Sequence, residues 1–187
     1  MSSALTILQQ NLTAQNMLKH CLASGAVMRA LAAKLGGNLE DWELAGLLHD
    51  ADAEKTPPEK QGVTAGEWLR ADAELAAKVA DLEAVVHAMA AHNQEKTGVA
   101  AESKMDWALV AGETLTGLIV ASTLVLPSKK LADVTPEMVL RRFKEKSFAK
   151  GAKRENILEC AKLGLSLEEF VTISLTAMQG IAADLGL

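Results

Sequence analysis

The chain has 187 residues, enough for one well-packed domain and too few for two of ordinary size. An apolar content of 49% and a mean hydropathy of +0.12 describe a globular protein with a sizeable core, not a disordered or fibrous one. A formal net charge of −5 argues against wholesale binding to extended DNA or RNA, which needs a basic surface.

Alanine, leucine and methionine outweigh β-branched and aromatic residues, a bias towards helix, because unbranched side chains lose little rotamer freedom there. The N-terminal run from Met1 to Thr6 lacks a charged start and a long apolar block, so no signal peptide is expected. Met17, Cys21, Ser24, Met28, Leu31 and Leu35 then form one helical stripe, with steps of four and three, stopped by Gly36-Gly37. His20 lies at the edge of that stripe, and Cys21 reads as a small buried hydrophobe. A second helix starts near Asn38 or Glu40 and runs to Leu48, delivering His49 and Asp50 at its end.

Thr56-Pro57-Pro58 forces a loop. Helical patterning returns from Val63 to Ala71, from about Glu74 to His92, and over a longer apolar segment from Lys104 to Leu124, stopped by Pro127. The longest apolar run, Leu115 to Leu126, is interrupted by Thr, Gly and Ser and is too short to span a bilayer. No membrane contact and a cytoplasmic location are therefore expected. Thr135 and Pro136 read as the cap and first position of another helix. Two more follow, roughly Lys153 to Leu163 and Ser166 to Leu185, the latter opened by a Ser166/Glu169 capping box. Nothing reads as a strand. The expectation is an all-α, single-domain helical bundle.

Cys21 and Cys160 stand far apart without CxxC spacing, so neither a zinc ribbon nor a disulfide framework is indicated. From Lys129 to Arg154 there are nine Lys or Arg against three acids, a basic zone suited to a small phosphorylated molecule. The four histidines, His20, His49, His87 and His92, all lie in or beside apolar helical segments. A single histidine so placed is usually a hydrogen-bonded core residue. Four, one of them next to Asp50, form a nitrogen and oxygen donor set suited to divalent transition metals.

His20 followed by His49-Asp50 in "GLLHDAD" resembles the HD-domain phosphohydrolase superfamily, an all-helical group named for that pair. The resemblance extends through "NMLKHCLASGAVMRALA" (16–32), "AAHN" (90–93), "LTGLIVASTLVLPSKKL" (115–131) and "RRFKEKSFAKGAKRE" (141–155), segments similar to a prokaryotic branch of HDIG-type predicted hydrolases. It implies a single HD-type domain, with a metal-site core at about 16–126 and a helical extension at about 133–187. It also implies a divalent metal (Mn, Fe, Co, Ni, Mg or Zn) held by His20, His49, Asp50 and a downstream acid. That acid is normally Asp; "AGETLTGL" here offers Glu113, which keeps an oxygen donor at one methylene more. Gln61, in "EKQG", stands where the branch is expected to carry His, which favours one metal over two.

The activity implied is metal-dependent hydrolysis of a small phosphate mono- or diester, nucleotides included, by an enzyme that need not be monomeric. Asp50 and Asp52 are the expected catalytic acids, with Glu54 as a further candidate, although solvated loop acids are the commoner outcome for such residues. His92 reads as a second-metal ligand, a phosphate donor or a helix-terminal histidine. With it, Arg142 and Lys146 are the expected phosphate-binding groups, against the alternative of a solvated basic face. His87, five residues before His92, shares no face with it and is set aside. The rival readings are a non-catalytic HD-fold sensor that binds metal or nucleotide, and a plain helical interaction protein.

Overall fold

A computed structural model describes residues 2–187; Met1, where the N-terminal reading for a leader begins, lies outside them. Among the described residues all regular structure is helical. The centre is made by α2 (Gln15–Leu35), α3 (Leu39–Leu48) and α8 (Lys104–Leu124). Helix α2 starts where the Glu54 carboxylate accepts from the Thr13 and Ala14 amides at 2.9–3.1 Å, so this loop acid caps a helix start. It ends at Gly36, whose φ of +76° is the left-handed stop anticipated for that glycine. Asn38 caps α3 by accepting from the Glu40 and Asp41 amides.

Helices α2 and α3 pack almost backbone to backbone. A Cβ added to Gly46 would lie 2.6 Å from the Ser24 carbonyl oxygen, and one on Gly25 would lie 2.7 Å from Leu47 Cγ. Helix α8 crosses the pair more loosely, where a Cβ on Gly112 would sit 3.2 Å from a Val27 methyl. Val27, Met28, Leu31, Leu109, Leu115, Leu118 and Ile119 are sealed between them. Helix α8 is long and apolar enough to cross a membrane, but 67% of its most apolar window is buried inside the fold, as a core helix would be.

Around this centre stand α4 (Val63–Ala71), α5 (Ala73–Ala76), α6 (Leu82–Ala91) and α7 (Gln94–Thr97). The helix expected from about Glu74 to His92 is broken between α5 and α6. The buried Asp41 carboxylate accepts from the Ala80 and Asp81 amides at 3.0 Å, and Asp81 then caps α6 through the Ala84 amide. A distant acid thus takes up amides that a continuous helix would use. Helix α8 opens with a Ser103/Asp106 capping box, and His87 pairs with that same Asp106 at 3.1 Å. His87 is therefore occupied at a helix start.

The C-terminal part comprises α9 (Pro136–Lys144), α10 (Arg154–Leu158), α11 (Leu167–Gly180) and α12 (Ala182–Leu185). The last two predicted helices are each divided, one by a 3₁₀ turn over Glu159–Leu163 and the other at Ile181, where φ is −119°. The half-buried Arg154 guanidinium donates to six carbonyls, those of Arg142, Phe143, Glu145, Phe148, Ala149 and Ala152. One side chain thereby shapes the whole 142–152 segment. Helix α1 (Ser2–Asn11) was not anticipated, although Ala4, Leu8 and Leu12 give it a buried stripe with steps of four. The main core cluster draws residues from Ala4 to Leu185.

The Gly46 contact is with backbone and cannot relax as a side chain would. Gly46→Ala is expected to lower stability in chemical denaturation by about 1–3 kcal/mol. Gly112→Ala, which meets only a movable methyl, is expected to cost clearly less. Equal losses would show that close helix approach is not what Gly46 provides.

Candidate metal centre

Four elements deliver side chains to one point. His20 comes from the second turn of α2, His49 and Asp50 from the end of α3, His92 from the end of α6, and Glu113 from the middle of α8. The two imidazole Nε2 atoms of His20 and His49 stand 3.1 Å apart. Asp50 Oδ2 lies 3.6 Å from His49 Nε2 and 3.9 Å from His20 Nε2, and Glu113 Oε2 is 3.7 Å from His20 Nε2. The other Asp50 oxygen faces His92 Nε2 at 3.3 Å.

Hydrogen bonds behind the rings fix their tautomers. His49 Nδ1 donates to the Gly46 carbonyl at 2.8 Å, and His92 Nδ1 donates to the Met89 carbonyl at 2.6 Å. His20 Nδ1 faces Thr116 Oγ1 at 3.1 Å; that hydroxyl gives its own proton to the Glu113 carbonyl, so it accepts from His20. Each ring therefore turns an Nε2 lone pair inward, towards two carboxylates. Such a cluster consists of acceptors alone, and it is stable only when a cation or extra protons sit among them.

The spacing suits a cation. Two nitrogens about 2.1 Å from a common metal and at right angles are about 3 Å apart, close to the His20–His49 separation. His20, His49 and Asp50 form the group whose ligand atoms lie within 4.8 Å of one another and could hold the ion. Imidazole with carboxylate is a donor set for first-row divalent metals. Electrostatics agree. Burial, helped by His92 and His20, pushes the His49 imidazole down to about 3, which keeps it neutral and available as a ligand. Burial opposes ionisation of Asp50, but the three imidazoles outweigh it and hold the carboxyl well below its usual range. Burial likewise opposes charge on His92, yet the Asp50 hydrogen bond and the Asp50 and Glu113 charges raise its pKa. Burial raises that of Glu113, whose other oxygen is tied to the Thr114 hydroxyl.

The cluster forms the floor of a cavity of about 490 Å³. Gln61, Asn93 and Asn156 supply amide groups to its walls, and Gly117, Ala149, Gly151 and Ala152 supply small ones. The basic residue that lines it is Lys153. Gln61 accepts from Asn93 Nδ2 at 3.2 Å and acts as a wall residue.

The structure separates three expected site residues from this floor. Asp52 is fully buried with its carboxylate turned to the Gly62 and Ala65 amides at 2.9–3.0 Å, where it caps α4 instead of meeting substrate. Arg142 pairs with Glu145 and stacks on Phe148, and neither it nor Lys146 lines the cavity. Thr116, Lys153, Asn93 and Asn156 were not singled out as site residues. Lys153 stood in the basic zone, but nothing local distinguished it from its neighbours. Thr116 had a detectable signal, as a hydroxyl three residues beyond Glu113 on one helix face.

The HD domain family matches residues 17–123, more than half of the chain. The chain belongs to the HD-domain family, whose members are generally metal-dependent hydrolases. Among curated proteins it resembles Ribonuclease Y of Cutibacterium acnes, 36% identical over 81 residues that cover 43% of this chain and 14% of that protein. It also resembles Ribonuclease Y of Lawsonia intracellularis, 37% identical over 82 residues, covering 44% and 15%. The similarity is thus to a small part of those longer relatives. No solved structure matches the chain.

Removing one imidazole should empty the centre. His49→Ala is expected to lose most of the bound divalent metal by elemental analysis while keeping its helical circular dichroism; unchanged metal content would refute the ligand assignment.

Acid should destabilise the metal-free protein. Below its ordinary 6.5 the unfolded chain protonates His49, whereas the folded chain does so only near 3, so stability falls with pH across that window. Asp50, held low, adds to the loss below the usual carboxylate range, while His92, held high, acts in the opposite sense. The denaturation midpoint of metal-free protein should drop on acidification, and His49→Asn should flatten that slope. An identical slope in the variant would assign the effect elsewhere.

Proposed function

We propose that the protein is a cytoplasmic metal-dependent phosphohydrolase in which His20, His49, Asp50 and Glu113 hold one divalent cation. Its substrate on this reading is a small phosphate mono- or diester, not an extended nucleic acid. The observation that carries the reading is the convergence of inward lone pairs and carboxylates on the floor of an open cavity. When bound, a divalent ion supplies an electrophile for a phosphoryl oxygen and lowers the pKa of water.

The chain's own groups do the rest. Asp50 stays ionised, and its oxygen towards His92 orients the attacking water by accepting a hydrogen bond. His92 Nε2 lies 3.3 Å from that carboxylate, whose hydrogen bond and charge raise the pKa of the imidazole and suit it to take up a proton there. Water adds to phosphorus, and the ester P–O bond breaks with its electron pair going to the leaving oxygen. His92 Nε2 takes the proton that the water gives up and delivers it to that oxygen. Asp52 takes no part, because its carboxylate is committed to backbone amides.

An RNA phosphodiester is the second reading for the substrate, favoured by the name Ribonuclease Y that both curated relatives carry. The amide-lined cavity holds no Phe or Trp among its described lining residues, and its two imidazoles, His20 and His92, are engaged in the His/Asp cluster, which leaves no free platform for a stacked base. A compact ester is the better fit.

Metal-loaded protein should hydrolyse p-nitrophenyl phosphate or bis-p-nitrophenyl phosphate, whichever ester class it takes. Chelator should abolish turnover, and Asp50→Asn should lower kcat by about 100-fold or more. Full metal occupancy with no turnover of either ester or of a nucleotide panel would favour a non-catalytic sensor.

A further inference from the structure

The cavity is asymmetric in charge. Its floor carries Asp50 and Glu113, while Lys153 is the single cationic side chain of Lys or Arg type among the described lining residues. The Lys153 ammonium is paired with Glu95 on α7, which lies outside the cavity lining in a small adjoining pocket that Lys153 and Asn156 also line. The two side chains are 51% and 63% exposed, and ion pairs so exposed hold together weakly. A phosphate dianion entering the cavity can therefore replace Glu95 as the partner of Lys153.

The backbone before Lys153 is nevertheless tied down by hydrogen bonds. The adjacent Arg154 grips the carbonyls of Ala149 and Ala152, the latter at 2.6 Å. Ala149, Gly151 and Ala152 line the same cavity with a methyl group or no side chain, so this segment puts no bulky group into it. Asn156, a turn beyond Lys153, gives only a long 3.4 Å contact to Thr114 Oγ1, so its amide also remains available to a ligand.

We infer that Lys153 is the receptor for the substrate's phosphate anion, held in reserve by Glu95 until a phosphoryl group enters between it and the His/Asp floor. The inference rests on the hydrolase reading and adds what recognises the charged end of the substrate. It assigns that task to the segment after α9 and not to α9 itself, whose Arg142 faces Glu145 and Phe148. Lys153 binds, while Glu95 tunes by competition.

The test uses full-length metal-loaded protein with p-nitrophenyl phosphate for turnover and inorganic phosphate for calorimetric binding. Lys153→Met is expected to raise KM and weaken phosphate binding by about tenfold or more, with metal content and thermal midpoint unchanged. Lys153→Arg should restore much of the binding, and Glu95→Gln should tighten it by removing the competitor. Unchanged phosphate affinity in Lys153→Met overturns the inference. So does a Glu95→Gln variant that binds as poorly as Lys153→Met, since the ion pair would then be only a brace. Phosphate binding that depends on Lys153 in a protein that cleaves no ester supports the receptor and refutes the hydrolase. Turnover and phosphate binding that both ignore Lys153 do the reverse.

Discussion

The contact between Gly46 and the Ser24 carbonyl sets the distance between α2 and α3, and through it the geometry of the whole centre. His20 lies one turn before Ser24 and His49 lies just beyond Gly46, so both imidazoles leave their helices next to the point of closest approach. Gly46 acts twice. Its missing Cβ lets the backbones meet, and its carbonyl accepts the Nδ1 proton of His49, turning Nε2 towards His20. A larger residue would push the helices apart and displace the very carbonyl that orients the ring. Structural packing and ligand orientation are here one constraint.

That constraint has an energetic consequence. Imidazole lone pairs and carboxylates are gathered in a largely buried place, an arrangement that works against folding in the absence of a cation or added protons. The surrounding helices supply the compensation through extensive burial, with α8 giving residues such as Leu109, Leu115 and Leu118 to the core on both sides of Glu113. A helix so apolar can carry one inward acid because its neighbours anchor it by close packing. A cation held there would contribute to folding, since the unfolded chain has no preformed site.

Much of the frame was legible because it is local. The stripe through Met17 and Leu35, the stop at Gly36, the Asn38 start, the Val63–Ala71 helix and the Ser166/Glu169 box depend on neighbours within a turn or two. The His49-Asp50 pair was legible for the same reason, as polar residues at the end of an apolar helix. What escaped depends on distant partners. The interruption before α6 needs Asp41, some 40 residues away in sequence. The roles of Arg142 and Lys153 could not be told apart in a run of basic residues, because the curl that turns one into the cavity and the other away is formed by Arg154 and six carbonyls. Charge count located the zone, but which of its residues lines the cavity depends on tertiary structure.

The stretch from His49 to Asp52 shows how adjacent side chains divide the work. His49 and Asp50 face the cluster, while Asp52, two residues on, reaches the opposite way to the Gly62 amide. Gly62 has φ of +78°, and a Cβ there would fall 1.9 Å from the Met89 carbonyl oxygen. That oxygen is the one that accepts the Nδ1 proton of His92. Asp52 thus holds Gly62, Gly62 abuts the Met89 carbonyl, and that carbonyl orients His92 towards Asp50. An acid that looked like a catalytic group two residues from the centre acts instead through backbone contacts that end on a third imidazole. The orientation of His92 is accordingly set from the α3 side as well as by α6, so the loop between Asp52 and Gly62 belongs to the architecture of the centre although it contributes no inward ligand atom.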